Sequence, residues 1–114
     1  MKFREIIEKL STFAEERDWN KFHSPKNLAM ALSVEAAEIV EHFQWLTQEQ
    51  SYNMDSDKIK RVRDEIGDVF IYLVMLADKL GIDPLAAALD KIEKNTKNYP
   101  VSRVRGKADK YTEY

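Results

Sequence analysis

The sequence predicts an all-α fold, a bundle of four helices. Apolar residues return at three- and four-residue steps through long segments, the period of a helix with one buried face. Ser24-Pro25 and Asp83-Pro84 each place a capping side chain before a proline suited to a first helical turn. Strand-like alternation is missing and glycine is limited to 3 residues, which argues against a sheet. With 114 residues, 44% of them hydrophobic, one domain over 1–114 is expected.

The first helix follows from Phe3, Ile6, Ile7, Leu10, Phe13 and Ala14. Its period lapses over Arg17 to His23, and Ser24-Pro25 opens a second helix running to about Trp45. Polar residues from Thr47 to Asn53 read as the main loop, after which Asp55 or Ser56 caps the third helix. That helix carries Ile59, Val62, Ile66, Val69, Phe70, Leu73, Leu76, Ala77 and Leu80 on one broad face. Gly81 follows where a left-handed C-terminal cap is expected. Asp83-Pro84 starts the fourth helix, whose stripe of Leu85, Ala88, Leu89 and Ile92 precedes Tyr99-Pro100. The tail from 101 to 114 has no apolar period and is expected to lack regular structure unless a ligand or partner subunit orders it.

Composition narrows the function. The balance of 20 acidic against 18 basic residues gives a net charge of -2, without general attraction for nucleic acid or an anionic membrane. Absence of cysteine removes disulfides, thiolate catalysis and sulfur-based metal sites. The N-terminus lacks the uninterrupted apolar run of a signal peptide or membrane span, so a cytoplasmic location is the expectation.

The chemistry lies in carboxylates at positions suited to leucine. Leu28, Ala31, Leu32 and Ile39 mark the inward face of the second helix, and Glu35 points into its middle with Glu38 alongside. An uncompensated buried charge costs several kcal/mol, so a cation or a basic group is required there. On the third helix, Glu65 and Asp68 share one strip, which Tyr72 extends by a turn. Four oxygen donors suit Mg²⁺, or Mn²⁺ in its place. The bland reading is two solvated acidic faces, and Glu35's place in an apolar stripe weakens it.

The pattern Glu35-Ala36-Ala37-Glu38, followed by Glu65-Ile66-Gly67-Asp68, resembles the ExxE and ExxD motif of the MazG-like all-α nucleoside triphosphate pyrophosphohydrolases. Glu15-Glu16-Arg17-Asp18-Trp19, Phe22-His23, Pro25-Lys26-Asn27-Leu28, Phe43-Gln44-Trp45, Ile71-Tyr72-Leu73-Val74, Tyr99-Pro100 and Lys110-Tyr111-Thr112-Glu113 are similar to segments of the dCTP pyrophosphatase branch. The resemblance implies hydrolysis of a (d)NTP, dCTP or a modified dCTP-like nucleotide above all, to NMP and pyrophosphate. It also implies Mg²⁺ held by Glu35, Glu38, Glu65 and Asp68, nucleotide pool sanitation as the role, and a homodimer or dimer-of-dimers homotetramer. Glu38 is the first candidate for general base, Glu35 the neighbour that shares its surroundings, and the assignment stays open among the four.

Trp19, His23 and Trp45 flank the acidic helix, where their rings would enclose a base, although either tryptophan could instead close an end of the core. His42 reads as a packed or hydrogen-bonded residue rather than a ligand, and Ser24 as a cap. Asn27 offers hydrogen bonds at the start of the second helix. Lys91, Asn95 and Asn98 form a strip suited to phosphate oxygens, with Lys110 and Tyr111 adding contacts from the tail. Two other readings compete: a non-catalytic helical protein-interaction module docking its acidic face, and a di-iron bundle. The latter needs paired Glu-x-x-His motifs that this sequence does not contain.

Overall fold

The structure, a computed structural model, describes residues 2–108. Its helices are α1 (Phe3–Glu16), α2 (Pro25–Phe43), α3 (Gln48–Ser51), α4 (Ser56–Lys79), α5 (Pro84–Asn98) and α6 (Val101–Val104), with a 3₁₀ turn at Asn20–Phe22. No strand occurs among the described residues. The long helices α1, α2, α4 and α5 are the four expected from periodicity.

Their starts follow from side-chain caps. Ser24 Oγ accepts the Asn27 amide at 3.1 Å, Asp55 Oδ1 accepts that of Lys58 at 2.8 Å, and Asp83 Oδ1 accepts that of Leu85 at 2.9 Å. Beyond α4, Gly81 adopts a left-handed φ of 67°, as its position predicted.

Three boundaries differ from expectation. Helix α2 stops at Phe43, because after Gln44 the chain tightens and the Leu46 amide bonds to the Phe43 carbonyl, leaving Trp45 in the turn. The loop holds α3, whose Thr47 and Gln50 exchange side-chain and backbone bonds in a capping box. In the tail, Pro100 starts the one-turn α6 by accepting the amides of Arg103 and Val104, so that segment is not wholly irregular.

The chain divides into two compact units, Met1–Gly81 and Ile82–Tyr114. In the first, α2 packs along α4 and α1 also rests on α4. Ala14, Leu28, Val62, Val74 and Ala77 form its buried core, and Leu28 is enclosed completely. Burying such a leucine stabilises by about 1.5–3 kcal/mol. The expected apolar face of α4 is only partly covered: Ile59, Ile66, Phe70 and Leu73 remain exposed, as do Met30 and Val34 on α2. The second unit comprises α5 and α6, and Leu85, Leu89 and Ile92 of α5 are exposed rather than buried.

Candidate active site

The α2–α4 seam brings the two acidic motifs together. Glu35 is half-buried, and its carboxyl is pushed up to about 7, first by loss of solvent and then by a hydrogen bond with Glu38 and the charges of Glu38, Asp68 and Glu65. Charges from both helices therefore converge on the Glu35 carboxyl. Glu35 Oε2 and Glu65 Oε2 are buried without an aligned hydrogen-bond partner. The Glu35 oxygen, orphaned amid like charges, is what a hard divalent cation would satisfy, and the all-oxygen donor set fits Mg²⁺. Among the described residues, no three such groups stand preassembled around a metal position, so the acidic residues form a neighbourhood rather than a finished coordination shell.

His42, which the sequence marks as a packed or hydrogen-bonded residue, finds its partner in this neighbourhood. His42 lies on α2 one helical step past Glu38, and its Nε2 approaches Glu65 Oε2 to 2.5 Å. Their side chains are 17% and 21% exposed. The available signal was register, since Glu35, Glu38 and His42 lie along one strip of α2. No obvious lysine or arginine opposes Glu35, and the sequence could not show that an imidazole meets Glu65.

Beside the acidic seam, a cavity of about 360 Å³ is lined by Phe13, Trp19, His23, Asp68 and Tyr72, among others. That volume lies within the range of small-molecule pockets. Trp19 is aimed by the end of α1. Asp18 takes a left-handed φ of 54°, its amide bonds to the Glu15 carbonyl, and the Trp19 amide reaches back to that of Ala14 at 2.9 Å. The indole then meets the Phe13 ring edge-on at 5.5 Å and the His23 ring at 6.4 Å. Burial, with the charge of Lys79, lowers the His23 pKa and favours the neutral imidazole. Asp68 belongs both to this aromatic cavity and to the carboxylates around Glu35.

Trp45 is 86% exposed and does not line the cavity. Asn27 spends its side-chain amide on the Phe22 carbonyl at 3.0 Å, a local bond that braces the entry to α2. Lys91, Asn95 and Asn98 follow one another along α5 in the second unit. Lys110 and Tyr111 fall outside the described residues. Phe13 was expected in the core and instead forms part of the cavity wall, with Lys9 one turn before it.

Comparison with known proteins places this geometry in context. The model of the MazG-like family matches residues 30–114. dCTP pyrophosphatase 1 of Bos taurus is 42% identical over 103 residues, which cover 89% of this chain and 61% of that protein. The Homo sapiens protein of the same name is 41% identical over the same coverage. The chain thus spans 61% of the length of the curated relatives it matches. A crystal structure of a pyrophosphatase from Archaeoglobus fulgidus superposes with a TM-score of 0.81 at 40% identity, covering 85% of this chain and 91% of that one.

Proposed function

The chain belongs to the MazG-like family, and from that premise we propose that it is a Mg²⁺-dependent nucleoside triphosphate pyrophosphohydrolase. Its substrate is a (d)NTP, dCTP or a related modified nucleotide, cleaved to NMP and pyrophosphate in nucleotide pool sanitation. The observation that carries this reading is the sharing of Asp68 between an aromatic cavity and the four-carboxylate seam. A base held in the cavity has its triphosphate directed toward the acidic residues.

Glu35, Glu38, Glu65 and Asp68 would hold the cation, which supplies charge neutralisation at phosphate oxygens and acidifies a water. Trp19 and Tyr72 contribute aromatic surface to the base cavity, and neutral His23 contributes a hydrogen-bonding edge. Glu38, joined to Glu35 by a hydrogen bond, is the carboxylate assigned to take the proton from water. The exposed apolar strip on α4 supports assembly as a homodimer or homotetramer.

A panel of nucleoside triphosphates, incubated with Mg²⁺ and separately with chelator, tests the reading by product analysis. Pyrophosphate and monophosphate should appear only with the metal, fastest from a deoxycytidine nucleotide. Absence of turnover across the panel, with nucleotide affinity unchanged by Glu35→Gln and Glu65→Gln, would instead favour the interaction module.

A further inference from the structure

His42 is the only described side chain paired with a member of the acidic seam from the opposing helix at ion-pair distance. The approach of Nε2 to Glu65 Oε2 is closer than an ordinary N–H···O separation of about 2.7–3.2 Å, so the imidazole and the carboxylate are in direct contact. Both side chains are mostly covered, which limits competition from water. The contact crosses from α2 to α4 and restrains one oxygen of the Glu65 carboxylate.

We propose that His42 is a positioning residue that orients Glu65 for divalent-cation binding. This inference rests on the metal-binding reading of the four carboxylates. Partners that orient a ligating side chain typically influence metal affinity 10- to 100-fold. Here the histidine reverses the usual arrangement: the imidazole is the outer group and the carboxylate is the ligand it holds. A side chain with a donor at the position of Nε2 preserves that restraint, whereas a shorter one does not.

The test is Mn²⁺ titration of the intact chain without nucleotide, read by electron paramagnetic resonance, for the unsubstituted protein, His42→Gln and His42→Asn. The Gln amide nitrogen reaches the position of Nε2, and that of Asn stops near Nδ1. His42→Asn should weaken Mn²⁺ binding by about 10- to 100-fold, with His42→Gln staying close to the unsubstituted chain. In a Glu65→Gln background the difference between the two variants should vanish. Equal Mn²⁺ affinity for the Asn and Gln variants would overturn the positioning role alone, including the case where both merely melt at lower temperature. Failure of the unsubstituted chain to bind Mn²⁺ would overturn both this inference and the metal-binding reading beneath it.

Discussion

Glu35 sets an ionisable carboxyl on the inward face of α2. At 100° per residue it falls among Leu28, Ala31, Leu32 and Ile39, so its conflict with the core was visible from spacing alone. Its raised pKa is the physical expression of that conflict. The pairing of His42 with Glu65 was not visible, because it depends on the register of α2 against α4, which no local pattern encodes. Glu35 also makes stability depend on pH, with Glu38, Asp68 and Glu65 as the titratable groups that act on it. In the metal-free fold its pKa stands above the value of 4.5 for a free carboxyl, at about 7. The fold therefore favours the protonated form, and the resulting stability is present below the lower value and lost as pH rises through the higher one. Chelated protein should melt at progressively lower temperature from pH 5 to pH 8. Glu35→Gln should flatten that decline, and an unchanged slope in calorimetry at several pH values would count against the assignment.

Elements were most legible where one side chain suffices to start them. Ser24, Asp55 and Asp83 each accept the amides expected of a cap, and Gly81 takes the left-handed turn that a glycine there implies. Ends built from less typical residues were harder to read. The reversal after α1 uses Asp18 where glycine is more usual, and that choice aims Trp19 at the cavity. Helix α3 is only one turn long, too short for apolar periodicity to reveal, although its Thr47-Gln50 box satisfies the first amides. Asp55 supplies the N-terminal cap of α4, the helix that carries Glu65 and Asp68. Asp55→Ala should lower stability by about 1 kcal/mol, measured by urea unfolding as a shifted midpoint with unchanged slope.

Across the molecule, the sequence pattern identified apolar faces but not what covers them. Helical periodicity marks a residue as suited to burial without distinguishing an intrachain neighbour from a second copy of the chain. Ile59, Ile66, Phe70 and Leu73 recur along one strip of α4, and Ile66 is 55% exposed, although the pattern assigned it to the core. Phe70 touches Phe3 edge-on at 6.2 Å and still keeps much of its ring accessible. The strip lies on the helix that also bears two of the four carboxylates, so a second copy seated on it would act on the site through α4. Burying the strip against a second copy would brace α4 where Glu65 and Asp68 project from it. Light scattering after size-exclusion chromatography should give a mass of at least two chains. Ile66→Lys, which would place an ammonium in the contact, should raise the dissociation constant on the order of 10- to 100-fold. Lys at the exposed position Glu93 of α5 serves as the charge control and should leave the mass unchanged. If Ile66→Lys elutes with the mass of the unsubstituted chain at every concentration, that strip is not the contact between copies.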